Sequence, residues 1–351
     1  LELCEPTDNT SLNMSSLSTS PALVVTSING PNPVMKSLAE GCQAHGWNFF
    51  IAGDSKSPSV YELDGATFLS LDAQVHEGYS LARAAPIRTY TRKNIAYLHA
   101  MRAGAEVIVE TDDDNFPMDA FWNPRVRSVL ASGIQENAWV NAYRYFTDDF
   151  IYPRGMPLNH ARGLLPSRGA AQHFDCPIQQ GLADVDPDVD AVYRMLYPLP
   201  FHFHKGIDPV ILLGQAWCPF NSQNTTFFAD AFPLLYLPAK CSFRMTDIWR
   251  SFVAQRVLHS LSSGVLFHEA TVWQERNEHD LHKDFIDEIP GYQNNAAMRV
   301  ALMETELEDS LSVRMKMEKC YQTLIRNGWV GAEEEALLGH WFQDLSDLHV
   351  I

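Results

Sequence analysis

Asp112, Asp113 and Asp114 stand in a row shortly after an apolar run, Val107-Ile108-Val109. The run predicts a buried strand, so the three acids fall at a strand end. Carboxylates this close repel one another strongly unless a cation lies between them. Side chains alternate along an extended backbone, which puts Asp112 and Asp114 on the same side. Two such carboxylates, with phosphate oxygens from a ligand completing the shell, suit Mg2+ or Mn2+. An acidic turn capping the next helix is the alternative, and the strand in front favours the metal.

Two further segments carry candidate chemistry. Thr91-Arg92-Lys93-Asn94 opens a helix whose apolar face includes Ile95, Leu98 and Met101. Cations are disfavoured at the positive end of a helix, so Arg92 and Lys93 there suggest a phosphate ligand; solvated surface cations are the other reading. Arg244-Met245-Thr246-Asp247-Ile248-Trp249-Arg250 predicts a helix with Asp247 in its first turn. Asp247 reads equally as an acid placed by the helix dipole or as a general base offered to an acceptor hydroxyl. Arg244 or Arg250 would tune it or pair with phosphate. His268 and His279, beyond that helix, are candidates for a third metal ligand, against the commoner structural or exposed histidine. The alternating acids of residues 184–190 lack the Gly and Glu of an EF-hand loop and read as a solvated turn.

These residues need a scaffold. Ala22–Ile28 predicts a buried strand, Asn32-Pro33 a capped helix start, and Gly46 its end. Strands follow at 47–51, stopping at Gly53-Asp54, at 66–71, and at 106–111 after two helices. Strands separated by helices imply an α/β fold with a parallel sheet. Ligands of such sheets sit at the carboxyl ends of strands, where Asn29, Asp54 and the acidic triplet fall. Residues 120–240, rich in proline and aromatics, predict a mixed sheet with long loops that shape an acceptor pocket. Residues 296–326 predict one long amphipathic helix ending at Asn327-Gly328, able to pair with a second copy in a homodimer. The organisation expected is a flexible Ser/Thr/Asn-rich stem at 1–20, a main domain at 21–295 and a helical extension at 296–351.

Bulk properties narrow the classes. With 46% hydrophobic and 20% charged residues, the 351-residue chain is expected to fold throughout most of its length. A net charge of −17 argues against a nucleic-acid binder and makes an anionic substrate depend on a metal or local cations. No apolar run is long enough to span a bilayer. The chain opens on Leu1, so a signal or anchor is expected upstream. The six cysteines show no CxxC spacing; one or two disulfides stay open. Sequons at Asn9, Asn13 and Asn224 lend weak support to a secretory route.

Taken in order, several segments resemble the STELLO-type glycosyltransferases, plant Golgi proteins with relatives in animals and protists. They are Val24-Val25-Thr26-Ser27-Ile28-Asn29, Gly53-Asp54-Ser55-Lys56-Ser57-Pro58, Arg92-Lys93-Asn94-Ile95-Ala96-Tyr97-Leu98, Glu110-Thr111-Asp112-Asp113-Asp114-Asn115, Tyr152-Pro153-Arg154-Gly155-Met156-Pro157-Leu158, Gln179-Gln180-Gly181 and Thr246-Asp247-Ile248-Trp249-Arg250. A fainter likeness joins the acidic triplet and Asp247-Ile248-Trp249 to the plant reversibly glycosylated polypeptides, which are nucleotide-arabinose mutases. The resemblance covers about residues 21–280; the helices after about 290 lie outside it.

It implies a GT-A fold, with a Rossmann-like nucleotide half, a mixed-sheet acceptor half and C-terminal helices. It also implies a D-x-D clamp in which Asp112 and Asp114 hold Mn2+ or Mg2+. Thr26, Asn29, Asp54, Arg92, Lys93 and Asp113 would contact the nucleotide-diphosphate sugar. Asp247 would be the catalytic carboxylate, and Gln180, Arg244 and Trp249 would meet the acceptor or sugar. The activity expected is metal-dependent sugar transfer to a glycan or polysaccharide hydroxyl in the Golgi lumen or secretory pathway. A mutase or self-glycosylating protein and a non-catalytic scaffold of a polysaccharide-synthase complex are the alternatives.

Overall fold

The computed structural model describes residues 20–275 and 280–351. The nucleotide half is built as the apolar runs dictate. Strand β1 (Ala22–Thr26) is followed by helix α1 (Pro33–His45), β2 (Asn48–Ala52), β3 (Thr67–Leu69), the short helices α2 (Leu71–His76) and α3 (Ser80–Ala84), α4 (Lys93–Arg102) and β4 (Val107–Thr111). Ala22, Leu23, Val24 and Val25 are all fully buried, as a central parallel strand covered on both faces requires. Ala22 and Val24 enter one core and Leu23 and Val25 the other, under α1. The start of α1 is fixed locally: Asn32 Oδ1 accepts from Met35 N at 2.8 Å, and Gly46 ends the helix at φ 68°.

The second half contains β5 (Asn115–Pro117), β6 (Ser128–Glu136), β7 (Ala171–Asp175), β8 (Ile178–Asp184), α5 (Ala191–Leu196), β9 (Val210–Gly214), β10 (Asn224–Phe228), α6 (Thr246–Ser260) and β11 (Val265–Gln274). All the strands join one sheet in the order β3-β2-β1-β4-β10-β8-β11-β9-β6-β7, with β5 paired to β11. From β3 to β4 every pairing is parallel. From β10 onward antiparallel and parallel pairings alternate. The α/β expectation, a parallel nucleotide half continued by a mixed half, therefore holds.

Helices α7 (Leu281–Glu304), α8 (Val313–Arg326) and α9 (Glu334–Asp347) complete the chain. Here the sequence reading needs correction. Helix α7 runs through the expected 295/296 boundary, and the single helix expected over 296–326 is two. Val300 and Met315, within that span, are exposed. The start of α7 is set by Asp280, whose Oδ1 accepts from His282 N at 3.0 Å. Nor is this a separate extension. Met298, Leu302, Cys320, Leu324, Trp341 and Phe342 belong to the main core. Asp344 of α9 accepts from Ser80 N and Leu81 N, closing the start of α3 at 2.7 and 2.8 Å.

Other expectations fare variously. Cys42, Cys176, Cys218, Cys241 and Cys320 are free thiols, so no disulfide links the described cysteines. The Asn224 sequon is buried in β10, its side-chain amide donating to Leu182 O and Thr271 Oγ1, which bars glycosylation of the folded chain. Asn9 and Asn13 lie outside the described residues. No described helix is long and apolar enough to cross a membrane.

Asp190 gives the fold a pH dependence. It is fully buried, caps α5 by accepting from Tyr193 N at 2.7 Å, and accepts from Tyr152 Oη at 3.0 Å. Burial pushes its pKa up to about 7, against the Tyr193 N–H, with nearby Glu288 adding to the rise. The folded chain then keeps a proton that the unfolded chain loses above about pH 4, so stability falls as pH rises through that window. Urea unfolding is expected to show a loss of about 1–4 kcal/mol between pH 4 and pH 7.5. Asp190→Asn, which keeps the cap without the charge, should flatten that slope.

Candidate active site

A cavity of about 590 Å³ opens at the carboxyl ends of β1, β2 and β4 and is closed on the far side by the starts of α6 and α7. Thr26, Asn29, Asp54, Asp112, Asp113, Asp114, Arg244 and Asp247 all line it, so residues chosen from four separate segments of sequence meet in one place. Thr26 Oγ1 donates to Ala52 O, tying β1 to β2. Asp54 Oδ2 accepts from Thr89 N at 3.0 Å and so anchors the 86–89 loop to the end of β2.

The acidic triplet divides its work by side-chain alternation. Asp113 turns toward β1, accepting from Ser27 Oγ at 2.5 Å and Asn29 Nδ2 at 3.4 Å. Asp112 accepts through Oδ1 from Tyr90 Oη at 2.6 Å and Lys93 Nζ at 3.3 Å, while 30% of its side chain stays open to solvent. Burial raises its pKa; Lys93 and the Tyr90 hydroxyl pull it back, and Asp247 and Asp113 push it further up. Among the described residues no group of three or more His, Cys, Asp or Glu side chains is disposed to hold a metal by itself. Two cavity-lining carboxylates offer only hard oxygen donors, which fit Mg2+ or Mn2+ whose shell a diphosphate and water complete.

Asp247 is set by long-range contacts. Its Oδ1 and Oδ2 accept from Arg154 Nη2 at 3.1 and 2.8 Å, and Oδ2 also from Ser222 N at 3.3 Å. Arg154 is itself forked onto Asp188 at 2.8 and 2.9 Å. Gly155 makes this approach possible: at φ +87°, a Cβ there would lie 2.4 Å from Ile248 Cγ2 on α6. Arg154 was not singled out for a role from sequence, although its segment carried part of the family resemblance.

Several expected roles do not survive. Arg92 and Lys93 are buried and do not line the cavity. Arg92 donates to Ala82 O and Ala85 O at the end of α3. Lys93 Nζ donates to Thr111 O and Tyr90 Oη, both at 2.8 Å, holding the acidic strand end from beneath. A 3-10 turn, Tyr90–Arg92, precedes α4, and α4 is buried almost all round, so its first residues face protein. The cavity's outer cations are instead Lys56 and Arg88, the latter at φ 59°, a conformation bulky residues seldom adopt.

His268 lies off the cavity, its Nδ1 2.9 Å from Glu269 O and its ring packed on Gly181; burial, with Arg125 nearby, lowers its pKa to about 4. His279 lies outside the described residues. Gln180 is buried; its Oε1 accepts from Asn221 N and Thr225 Oγ1, so it shapes the 221–223 wall from behind. Trp249 is buried on the opposite side of α6, donating to Asn295 Oδ1 at 2.8 Å. Lys283 and Asp287 of α7 join the lining, together with Phe243 and Gln274. The lining holds seven aspartates (54, 112, 113, 114, 188, 247, 287) and five cations (56, 88, 154, 244, 283), an excess of acid that disfavours an anionic ligand arriving without a cation.

By fold and site, this is an α/β protein with a carboxylate-lined ligand cavity at the strand ends of its parallel half. By sequence its relationship is to the STELLO glycosyltransferases, and the expected resemblance is borne out: residues 244–350 match the model of that family. The Arabidopsis thaliana proteins named "Probable glycosyltransferase STELLO2" and "Probable glycosyltransferase STELLO1" are each 30% identical to it, over 274 and 273 residues. Those alignments cover 71% of this chain but 35% and 34% of the relatives, so the chain spans about a third of the length of the curated relatives it matches. The family match includes α7, α8 and α9, which overturns the expectation that the resemblance stops near residue 290. Among solved structures, glucosyl-3-phosphoglycerate synthase from Mycobacterium tuberculosis with Mn2+, UDP-glucose and phosphoglyceric acid aligns at TM-score 0.38 and 11% identity over 80% of each chain. S. aureus TarS 1-349 with UDP-GlcNAc aligns at 0.32 and 13% over 94% of this chain and 80% of that one.

Proposed function

We propose that this chain is a metal-dependent glycosyltransferase that moves a sugar from a nucleotide-diphosphate donor to a hydroxyl of a glycan or polysaccharide, in the secretory pathway. The observation that carries the reading is the meeting of Asp112, Asp114 and Asp247 in one cavity at the ends of a parallel sheet. The two STELLO relatives, named as glycosyltransferases, support it. Mn2+ or Mg2+ held by Asp112 and Asp114 would supply positive charge to the departing diphosphate.

The chain's own residues do the rest. Asp54 and the 86–89 loop bind the nucleoside end, and Lys56 and Arg88 attract the phosphates. Asp113 locks the ends of β1 and β4 together. Asp247, held in place by Arg154 and Ser222, takes the proton of the acceptor hydroxyl as the new glycosidic bond forms. Arg154→Met should lower transfer about 10²–10³-fold with little change in donor affinity, because Asp247 and Asp188 would lose the guanidinium that orients them. Arg154→Lys should recover only part. Steady-state kinetics with a fluorescent binding readout would check both.

A thermal-shift screen of uridine and guanosine diphosphate sugars, with and without Mn2+, tests the reading as a whole. At about 100 times its Kd a true donor adds about 2.7 kcal/mol of stability. One donor that raises the melting temperature only with the ion is the expected result. If no nucleotide sugar shifts the transition with or without metal, the cavity is not a donor site.

A further inference from the structure

Resting on the transferase reading, we infer that the acceptor is an uncharged saccharide whose ring lies on Phe243, against a wall made by the first turns of α7. Phe243 is a large apolar side chain left 59% exposed at the mouth of the cavity. Its ring stands edge-on to Tyr90, with centroids 6.2 Å apart, and Tyr90 Oη is the donor to Asp112. One aromatic thus supports the metal-side carboxylate, and its neighbour offers a free face beside it. Aromatic faces pair with the C–H side of a sugar ring and contribute nothing to binding a phosphate or carboxylate.

The platform is held rigidly by α7. Ser242 Oγ donates to Asp287 O, and Arg244 donates twice to Glu288 Oε1, at 3.0 and 2.8 Å. Gly291 lets the two segments touch, since a Cβ there would fall 2.4 Å from Met245 Sδ. The residues 243–245 are therefore clamped between α7 and the start of α6, which carries Asp247. Asp287, one turn beyond Lys283, lines the cavity on this wall and can accept a hydroxyl.

A second observation points to hydroxyl groups as the ligand chemistry. Gln274, at the end of β11, is 93% buried and lines the cavity, yet its Oε1 has no hydrogen-bond partner. A buried acceptor without a donor is destabilising, a loss that a ligand O–H removes. The guanidinium groups at this end are already engaged: Arg154 by Asp188 and Asp247, Arg244 by Glu288. An acidic acceptor would find them occupied and Asp287 repelling it, leaving Lys283 as the lining cation of this wall.

The test is saturation-transfer NMR on the whole chain with a panel of methyl hexosides and neutral tri- and tetrasaccharides, in the absence and presence of UDP and Mn2+. Sugar phosphates and uronic acid oligomers form the comparison set. A neutral saccharide saturated on its C–H face is expected, with affinity about tenfold weaker in Phe243→Ala and retained in Phe243→Trp. Gln274→Leu should weaken it as well. Unchanged saccharide affinity in Phe243→Ala, binding by anionic saccharides alone, or no saccharide binding in any condition would overturn the inference. A parallel titration with nucleotide sugars separates the two readings. Donor binding without saccharide binding sinks only this inference, while saccharide binding on Phe243 without any donor sinks the transferase reading and leaves Phe243 a saccharide site without an acceptor role.

Discussion

Replacing Asp112 and Asp114 together by asparagine is expected to abolish sugar transfer, by about 10³-fold or more, while the chain stays folded. Each interaction aimed at charge developing on a leaving group contributes about 10²–10³ in rate, and under the proposed function this pair would hold the cation that supplies most of it. The variant is close to isosteric. An asparagine at 112 still accepts through its side-chain oxygen from Tyr90 and Lys93, the two donors that fix Asp112 now. Loss of transfer should therefore come with loss of Mn2+-dependent donor binding rather than with unfolding. Circular dichroism and calorimetric titration on the same samples would separate these. Transfer at the original rate in metal-free buffer would contradict the assignment.

The largest effect on stability is expected beneath the cavity. Glu110, fully buried on β4, receives Arg250 of α6 through two hydrogen bonds at 2.9 and 2.7 Å, and Tyr97 Oη donates to the same carboxylate. Arg250 lies near Phe220 and Phe227, 5.7 and 5.3 Å from their ring centroids, and also donates to Asn221 O. The pair joins the strand that ends in the acidic triplet to the helix that begins with Asp247. Glu110→Gln strands a guanidinium in the core and should cost about 3–5 kcal/mol in urea unfolding. Replacing both partners, as Glu110→Leu with Arg250→Met, should cost much less, since no uncompensated charge remains. Equal losses in the single and double variants would mean that packing, and not charge pairing, dominates there.

What could be read from the sequence was local or periodic. The cap at Asn32, the stop at Gly46, the apolar strands and the first turn of α6 depend on residues within a few positions of one another, and all appear where expected. The cavity lining at Thr26, Asn29, Asp54 and the triplet was legible because strand ends of a parallel sheet converge, and Asp247 because a helix start can be read from its neighbours. What failed depended on which way a side chain turns. Arg92 and Lys93 sit at a helix start as expected, but α4 is enclosed by protein, so their charges meet carbonyls and not a ligand. Arg154 reaches Asp247 across 93 positions of sequence, and Phe243 is held in place by α7 from 45 positions away through Ser242 and Asp287. No spacing rule carries that information. Helix α7 was misplaced because its polar, proline-containing first half hides the continuity that Asp280 begins.

The most direct test of the central claim is a Mn2+ titration followed by electron paramagnetic resonance, with and without UDP, on the wild-type chain and on Asp112→Asn with Asp114→Asn. Weak binding of the ion alone, much tighter binding once UDP is present, and neither in the variant is the predicted pattern. Mn2+ and UDP that bind independently of each other, or equally well to the variant, would contradict it.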